Sequence, residues 1–492
     1  MSLINIQNLS FAYDGSYDNI FENVSFQIDT DWKLGFTGRN GRGKTTFLNL
    51  LLGKYEYSGS ISSSVDFDYF PFPVQNPRAS TLEVVEAICP DYTHWQLMRE
   101  FKLLEISDEL LYRCFDSLSK GEQTKVLLAA LFQRENSFLL IDEPTNHLDT
   151  RGRELVSRYL NGKSGFILVS HDRSFLDGCV DHILSINRSS IEIQQGSFSS
   201  WLMNKERADS FELAENEKLK KEIVRLKISA KEKAGWSDSV EKTKYGTKNS
   251  GLRPDRGYIG HKAEKMMRRS KSIEKRQTDA ITEKTRLLKN LETCDELKLV
   301  QLDYHSSRYA SFSQVSIAYG DARACQDVSF DIERGDRIAL LGKNGSGKSS
   351  LIKLLCGEDI PYSGSFERGS RLKISYVSQD TSFLRGSLSD YALESGIEES
   401  LLKAVLRQLD FARVQFEKDM SDFSEGQKKK VLIARSLCER AHLLVWDEPL
   451  NYIDVISRMQ IENLLLEFEP TILFVEHDRA FCENIATKLV YL

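Results

Sequence analysis

GRNGRGKTT at residues 38–46 and GKNGSGKSS at residues 342–350 are two copies of one short motif in a chain of 492 residues. Each fits the pattern GxxxxGK[ST], in which glycines let the backbone curl so that successive N–H groups point at phosphate oxygens. Each also follows a strand-like stretch and opens a helical one, the context in which this pattern is a strong signal. A glycine-rich turn with an incidental lysine is the alternative, and the duplicate argues against it. The two stretches therefore predict two phosphate-binding loops.

Three further short elements follow each loop in the same order. They are LSKGEQ at 118–123, FLLIDEPTNHLD at 138–149 and VSHD at 169–172 in the first copy, and FSEGQ at 423–427, HLLVWDEPLNYID at 442–454 and VEHD at 475–478 in the second. Equivalent positions lie 304 to 306 residues apart, as between Gly38 and Gly342 or between His171 and His477. This repeat predicts a tandem duplication of a domain of about 200 residues. The predicted boundaries are 1–198 for the first domain, 199–298 for a linker and 299–492 for the second domain.

The apolar runs within each copy predict the fold class. FLLID and HLLVWD are continuous apolar stretches, typical of a strand that is buried on both faces of a sheet. Such runs alternate with helix-like segments, whereas each copy opens with alternating strand-like sequence such as INIQNLSFAY or VSIAY. The alternation predicts two α/β domains, each with a largely parallel core sheet.

The composition is that of a globular protein and argues against a membrane-spanning or disordered chain. Hydrophobic residues make up 41% of the chain and charged residues 28%. The longest apolar runs, such as VLLAALF at 126–132, are far shorter than the roughly 20 residues that a spanning helix requires. The N-terminus shows no basic region leading into an apolar one, and the eight cysteines form no CxxC pair. We therefore expect a cytoplasmic protein with reduced thiols.

The segment between the copies differs in charge and in pattern. Residues 201–290 carry 24 Lys and Arg against 14 Asp and Glu, while the rest of the chain carries 42 against 58. Apolar residues at helical spacing on both sides of a stretch broken by glycines and Pro254 predict an antiparallel helical hairpin. Its turn, at about 240–260, is strongly basic, in the sequence KTKYGTKNSGLRPDRGYIGHK. Solvated charges on a helical spacer are the alternative.

The residue types within the repeated motifs predict ATP and Mg²⁺ as ligands. The loop lysines would reach the outer phosphates, and the hydroxyl residue after each lysine would hold Mg²⁺. The predicted ATP-binding loop residues are Gly38, Asn40, Gly41, Gly43, Lys44, Thr45 and Thr46 in the first copy, and Gly342, Asn344, Gly345, Gly347, Lys348, Ser349 and Ser350 in the second.

Acidic residues and histidines at the ends of strands predict the catalytic groups. Asp142 and Asp447 close buried strands, from which a carboxylate reaches the water shell of the metal, so we assign them with Thr45 and Ser349 to Mg²⁺. The glutamate after each aspartate would polarise the attacking water, and the histidine of VSHD or VEHD would contact the γ-phosphate. A packed loop histidine is the alternative in each copy. The predicted catalytic residues are Glu143, Glu448, His171 and His477.

LSKGEQ and FSEGQ resemble the signature motif of ABC ATPases, whose two domains close head to tail. In that family each ATP lies between the glycine-rich loop of one domain and the signature helix of the other. The residues that the resemblance places on the nucleotide are Ser119 and Gly121 for the second loop and Ser424 and Gly426 for the first. Tyr13 and Tyr319 match the aromatic residue that stacks on adenine, the alternative being ordinary strand tyrosines.

The copies depart from each other where ABC domains carry a metal-contacting glutamine. The second copy has SYVSQD with Gln379 at this place, whereas the first reads DYFPFP with Phe72. DEPTNHLD in the first copy also becomes DEPLNYID in the second, with Leu450, Tyr452 and Ile453 replacing Thr, His and Leu. Because both predicted catalytic glutamates are kept, we expect two working but unequal sites.

Two fused ATPase domains, no membrane segment and a helical linker together resemble the ABC-F family, whose members act on the translating ribosome. The linker, including the sequence of its basic turn, looks most similar to that of Lsa-type antibiotic-resistance proteins. That resemblance implies binding at the ribosomal exit site, beside large-subunit rRNA and P-site tRNA, and displacement of lincosamides, pleuromutilins and streptogramin A compounds. Cations and aromatic rings suit RNA phosphates and unpaired bases. The predicted RNA-binding residues are Lys242, Lys244, Tyr245, Lys248, Arg253, Arg256 and Tyr258.

Other functions remain open on the sequence alone. A housekeeping translation factor of the same family would need the same ATPase and RNA contacts. The ATPase component of a membrane transporter would have no evident use for the basic hairpin, and a DNA-handling ATPase would often carry cysteine-rich metal modules or long coiled coils. We therefore expect a monomer with paired domains, without a membrane subunit or DNA as a partner.

Overall fold

The computed structural model describes most of both copies. The described residues are 2–13, 19–146, 148–186, 191–208, single helical positions up to 225, 301–320, 322–343, 345–409 and 411–492. One compact unit comprises Met1–Trp201 together with Cys294–Leu492, so it contains both copies, and Leu202–Thr293 forms another. Most of the predicted linker at 199–298, with its basic turn, lies outside the described residues.

The first copy contains nine described strands and six described α-helices. The strands are β1 (Leu3–Phe11), β2 (Phe21–Asp29), β3 (Lys33–Thr37), β4 (Ser58–Ser62), β5 (Asp66–Phe70), β6 (Ser137–Asp142), β7 (Phe166–Val169), β8 (His182–Ile186) and β9 (Ile191–Gln195). The helices are α1 (Lys44–Leu51), α2 (Thr81–Ile88), α3 (His94–Leu103), α4 (Lys120–Leu131), α5 (Thr150–Asn161) and α6 (Arg173–Cys179).

The described part of the second copy repeats this order with eight strands and six α-helices. The strands are β10 (Arg308–Tyr319), β11 (Ala322–Glu333), β12 (Arg337–Leu341), β13 (Tyr362–Arg368), β14 (Ile374–Val377), β15 (Leu443–Asp447), β16 (Ile472–Val475) and β17 (Lys488–Tyr491). The helices are α7 (Lys348–Cys356), α8 (Leu388–Glu394), α9 (Glu399–Gln408), α10 (Glu425–Cys438), α11 (Val455–Phe468) and α12 (Arg479–Ile485).

Each copy is built on a parallel core sheet, as the apolar runs predict. The strand order is β5-β6-β7-β3-β8 in the first copy, with β9 added antiparallel to β8, and β14-β15-β16-β12-β17 in the second. A separate antiparallel sheet, β2-β1-β4 or β11-β10-β13, completes each copy. Because parallel strands end at the same sheet edge, the glycine-rich loop after β3, the acidic end of β6 and the histidine after β7 converge there. The equivalent elements of the second copy converge in the same way.

The strand β15 shows why these sheets need continuous apolar sequence. Successive side chains of a strand point to opposite faces of the sheet. Leu443 and Val445 belong to the core that packs against the antiparallel sheet and α7, whereas Leu444 and Trp446 belong to the core formed with helices α8 to α12. All four side chains are buried, so a polar residue at any of them would enter a core.

Trp446 provides a test of this two-sided packing. Its side chain is fully buried, and its Nε1 donates a hydrogen bond to Ser436 Oγ at 2.8 Å. We expect Trp446→Ala to lower the unfolding free energy of the second copy by about 3–5 kcal/mol, because it opens a cavity beside α10. The measurement is urea unfolding followed by circular dichroism.

Leu393 is the matched control, since it is 81% exposed in the same copy. Leu393→Ala should change the unfolding free energy by less than about 0.5 kcal/mol. Equal effects of the two substitutions would contradict the assignment of Trp446 to the core.

Candidate functional sites between the two copies

Both glycine-rich loops end in a glycine that no other residue can replace without strain. Gly43 has φ of 91° and Gly347 has φ of 87°, in the left-handed region that favours glycine. A Cβ atom would also lie 2.5 Å from Cγ2 of Ile20 in the first copy and 2.8 Å from the carbonyl oxygen of Ala324 in the second. The backbone thus turns sharply into α1 and α7, whose free N-terminal N–H groups suit an anion.

The loop lysines are folded back on their own loops. Lys44 Nζ donates to the carbonyl oxygen of Gly38 at 2.6 Å and to Asn40 Oδ1 at 3.1 Å, and Lys348 Nζ donates to the carbonyl oxygen of Gly342 at 2.9 Å. Burial lowers the pKa of both lysines, and nearby carboxylates oppose this shift. The arrangement holds an ammonium group inside each loop, where the negative charge of phosphate would stabilise it.

A cleft of about 430 Å³ lies at the second loop and is lined by both copies. Lys120, at the start of α4, comes from the first copy with Asn146 and Leu148. The second copy contributes Ala324, Gly345, Gly347, Lys348, Ser349, Ser350, Gln379, Glu448, Asn451 and His477. The structure therefore gathers most of the second-copy residues predicted for ATP, metal and catalysis, and closes them with the signature segment of the first copy.

Glu448 is oriented within this cleft by three side chains. Its Oε2 accepts hydrogen bonds from Gln379 Nε2 at 2.8 Å and Asn451 Nδ2 at 2.7 Å, while His477 Nε2 lies 3.8 Å from its Oε1. Burial alone would raise the pKa of Glu448, but His477, Asn451 and Lys348 outweigh burial and lower it. An ionised carboxylate held in this way can accept a proton from water at neutral pH.

The oxygen atoms of the second site fit Mg²⁺. Asp447 ends β15, and its buried Oδ1 has no hydrogen-bond partner among the described residues. Burial raises the pKa of Asp447, and a hydrogen bond with Ser349 opposes this shift. A divalent ion would satisfy the free oxygen and favour the ionised carboxylate, with the Ser349 hydroxyl and the Gln379 amide oxygen as further hard ligands.

The equivalent groups of the first copy make different contacts. Thr45 Oγ1 lies 3.4 Å from Asp142 Oδ2, and the Tyr69 hydroxyl donates to the same oxygen at 3.0 Å. His171 Nε2 lies 3.2 Å from Glu143 Oε1. Burial, followed by the charge of Asp142, raises the pKa of Glu143 to about 8, and burial lowers the pKa of His171. In this conformation Glu143 thus favours its neutral form, whereas Glu448 favours its ionised form.

The first loop is contacted directly by the second copy. Asn40 Nδ2 donates to the carbonyl oxygen of Tyr452 at 2.8 Å, and the backbone N–H of Asn40 points at Asp454 Oδ2 at 3.5 Å. A Cβ atom on Gly426 would lie 2.4 Å from that carbonyl oxygen of Tyr452 and 3.2 Å from Asn40 Nδ2. The signature segment of the second copy thus packs beside the loop of the first, which is the reciprocal of the arrangement at the second cleft.

Charged side chains cross between the copies beside these sites. Arg173, at the start of α6, forms an ion pair with Glu462 of α11, and Arg479, at the start of α12, lies 3.6 Å from Glu154 of α5. The first pair is largely buried and the second is exposed, so we expect the first to contribute most of the electrostatic stabilisation.

The predicted adenine-stacking tyrosines lie beside the loops. The Tyr13 hydroxyl is 2.8 Å from Thr46 Oγ1, and the Tyr319 hydroxyl donates to Ser350 Oγ at 3.2 Å. The two tyrosines are 44% and 49% exposed. The ring of Tyr13 also packs edge-on against Tyr55 at a centroid distance of 5.8 Å.

The signature serines cap their own helices. Ser119 Oγ accepts from the N–H of Glu122 and donates to its carboxylate at 2.7 Å, and Ser424 Oγ accepts from the N–H of Gln427 at 3.3 Å. The remaining predicted loop glycines, Gly41 and Gly345, have φ of 78° and 82°. Predicted residues outside the described chain are Asn344 and the seven RNA-binding residues Lys242, Lys244, Tyr245, Lys248, Arg253, Arg256 and Tyr258.

Comparison with known protein families identifies the family of this chain. The sequence profile named ABC transporter matches residues 21–146 and 325–451, together just over half of the chain. The chain belongs to the ABC transporter family. It carries two ATP-binding domains of that family in tandem and is an ATPase that uses ATP with Mg²⁺.

Curated relatives match this ATPase over nearly its whole length. The ribosome protection protein VmlR of Bacillus subtilis is 27% identical, with 99% of this chain and 86% of that protein covered. The energy-dependent translational throttle protein EttA of Escherichia coli is 26% identical, with 96% and 89% covered. These relatives support the ABC-F resemblance, whereas identities of this size do not resolve a branch within it.

A solved structure shares the tandem fold of this ATPase. A complex of the archaeal ribosomal stalk protein aP1 with the ribosome recycling factor aABCE1 gives a TM-score of 0.63 at 18% identity, covering 98% of this chain and 87% of that chain. At this identity the likeness concerns the fold alone. No helix in the described part of the chain combines the length and apolar character needed to cross a bilayer.

The structure places several residues at the sites that the motifs did not predict. Asn451 and Asp454 lie inside DEPLNYID, and the offset of 305 residues from Asn146 and Asp149 could have identified them as a pair of repeated positions. Tyr69 carried no comparable signal, because a tyrosine on a strand is ordinary. Its contact with Asp142 becomes visible only when β5 lies beside β6.

Gly426 tests the contact between the copies at the first loop. We expect Gly426→Ala to reduce the turnover number for ATP hydrolysis by about 10-fold or more, because the new methyl group displaces the Tyr452 carbonyl and with it the Asn40 contact. Steady-state ATPase assays measure this.

Gly162 is the control, since it has φ of −79° and a Cβ there would lie 3.4 Å from the carbonyl oxygen of Tyr159, an ordinary contact. Gly162→Ala should retain the turnover number. Unchanged hydrolysis in Gly426→Ala would show that close packing at this point is dispensable.

Proposed function

We propose that this ATPase is a ribosome-binding protein of the ABC-F type that protects the ribosome from antibiotics of the peptidyl-transferase centre. The observation that supports the proposal is that each glycine-rich loop is contacted by the other copy of the same chain, together with a match of 99% of this chain to a ribosome protection protein at 27% identity. Such a chain needs no second ATPase subunit to complete a site.

The paired sites suggest how ATP would control binding. A triphosphate at either loop would be held by its own copy and by the signature segment of the other, so ATP favours the joined state of the copies. The linker connects residues 198 and 299, and joining or separating the copies would move both of its ends. We propose that ATP favours the ribosome-bound state and that hydrolysis, with Glu143 and Glu448 as bases, permits release.

The basic segment at 242–271 is the proposed RNA contact. Its Lys and Arg residues would neutralise phosphates of large-subunit rRNA, and its tyrosines would stack on unpaired bases. Bound at the exit site beside P-site tRNA, the turn would approach the peptidyl-transferase centre and counter lincosamides, pleuromutilins and streptogramin A compounds. The acidic remainder of the chain, with 42 Lys and Arg against 58 Asp and Glu, would resist indiscriminate binding to nucleic acid.

A housekeeping translation factor is the second candidate function. The match to a translational throttle protein at 26% identity over 96% of this chain supports it almost as strongly. Both functions require the same ATPase cycle and the same cytoplasmic ribosome partner. They differ only in whether the protein acts when a drug is present.

Trapping the ATP-bound state tests the shared part of the proposal. We expect the double variant Glu143→Gln and Glu448→Gln to cosediment with ribosomes in ATP and Mg²⁺, because ATP binds but water is not activated. Ultracentrifugation through a sucrose cushion gives the measurement.

The double variant Lys44→Ala and Lys348→Ala is the control, since it removes the ammonium groups that would hold the phosphates. It should remain in the supernatant. Recovery of the glutamine variant in the supernatant with ATP present would refute ribosome binding by this cycle.

Drug susceptibility separates the two candidate functions. We expect expression of the wild-type protein in a susceptible host to raise the minimum inhibitory concentrations of lincosamides, pleuromutilins and streptogramin A compounds by about 4-fold or more, which corresponds to about 0.8 kcal/mol in drug occupancy. Broth dilution with and without expression measures this. Unchanged susceptibility alongside ribosome binding would favour the housekeeping function.

A further inference from the structure

The run QKKKV at residues 427–431 looks like a solvent-exposed basic face, yet two of its three lysines are buried. Lys429 is 1% exposed, and Lys430 is 6% exposed. Lys430 donates to the carbonyl oxygen of Leu409 at 2.9 Å and lies 3.4 Å from Asp454 Oδ2. A fully buried ammonium group such as that of Lys429 is costly unless its hydrogen bonds are satisfied, so its partners indicate its role.

Lys429 Nζ donates to two carbonyl oxygens that flank the catalytic groups of the second site. One acceptor is Ser378 at 2.9 Å, the residue directly before Gln379, and the other is Glu448 itself at 3.2 Å. The side chains of Gln379 and Glu448 bond to each other at 2.8 Å. Lys429 therefore fixes the backbone on both sides of this contact.

Acidic groups surround Lys429. Burial lowers the pKa of Lys429, and the charges of Glu476, Asp447, Glu448 and Glu425 oppose that shift. The ammonium group thus lies among the carboxylates of the second site, but it donates its hydrogen bonds to backbone carbonyl oxygens. An apolar side chain of similar length would supply neither bond.

The position of Lys429 on its helix links the two sites. It lies on α10, whose first turn carries Gly426, packed against Asn40 of the first loop. One turn further along the same helix, Lys429 reaches the catalytic groups of the second loop. The matching position of the first copy is Thr124, two residues before Val126 as Lys429 is before Val431, and its short side chain offers no ammonium group.

We propose that Lys429 is a positioning residue that holds Gln379 and Glu448 of the second site in register and transmits to them the movement of α10 at the first site. The connection runs only from the first site to the second, because Thr124, at the equivalent position of the first copy, provides no such contact from the second site to Glu143. Nucleotide at the first loop thereby sets the hydrolysis rate at the second.

Steady-state kinetics of full-length variants test the positioning role. We expect Lys429→Met to lower the turnover number for ATP by about 10- to 100-fold while KM changes less than about twofold, because the glutamate is misplaced but the loop that holds ATP is intact. Lys429→Arg, which keeps a charge and several donors, should recover at least a third of the wild-type turnover. Lys403→Met, which removes an ammonium group from α9 that pairs with Glu399, should behave as wild type.

A double-mutant cycle tests the transmission. With Glu143→Gln present throughout to remove hydrolysis at the first site, Lys44→Ala should lower the remaining hydrolysis about 10-fold when Lys429 is present but less than twofold in the Lys429→Met background, because the link is already broken. Equal effects of Lys44→Ala in both backgrounds would overturn the transmission. Wild-type turnover in Lys429→Met, or a change in KM alone, would overturn the positioning role.

Lys429→Thr introduces the residue found at the equivalent position of the first copy, Thr124. It replaces Lys429→Met in these assays if circular dichroism shows the Met variant to be unfolded. It should show the same loss of turnover at unchanged KM and the same insensitivity to Lys44→Ala. A folded Lys429→Thr variant with wild-type kinetics overturns the proposal.

Discussion

Each glycine-rich loop of this ATPase is in contact with the other copy. In the second cleft, Lys120 and Asn146 of the first copy face the loop that contains Lys348. At the first loop, the amide of Asn40 bonds to the carbonyl of Tyr452. Since the groups that would hold one triphosphate come from two domains, nucleotide binding and domain pairing are thermodynamically linked: whatever favours one favours the other.

The two copies share the glycine-rich loop but differ in the surroundings of the predicted catalytic glutamates. Glu448 accepts hydrogen bonds from Gln379 and Asn451, which favour its ionised form, whereas burial beside Asp142 raises the pKa of Glu143 to about 8. A carboxylate must be ionised to accept a proton from water. The two sites therefore differ in the electrostatic environment of the glutamate that is predicted to act as the base.

Sequence alone predicted the fold class because it rests on local patterns, and the same patterns indicated the predicted site residues. Glycine spacing predicts the loops, and continuous apolar runs predict the parallel strands that bring loop, aspartate and histidine to one sheet edge. The structure places Glu448, Gln379 and His477 in one cleft. The assignment of ATP and Mg²⁺ is supported by the family match, whereas the individual residue roles remain predictions.

Other features of the site depend on tertiary contacts that local pattern does not encode. Lys429 stands in a run of three lysines, yet its side chain is buried where carbonyl oxygens of two other segments accept hydrogen bonds from its ammonium group. Tyr69 reaches Asp142 only through the pairing of β5 with β6. The basic turn of the linker, which carries the predicted RNA contacts, is outside the described residues.

Intramolecular cross-linking between the first loop and the second copy tests the pairing of the copies. Asn40→Cys and Tyr452→Cys would be combined with Cys114→Ser, since Cys114 is exposed, and treated with a short bis-maleimide. We expect a cross-link within single chains, detected by gel mobility and peptide mass, that increases when ATP and Mg²⁺ are added under conditions that prevent hydrolysis. A cross-link found only between separate chains, or none at all in ATP, would contradict the pairing on which both sites depend.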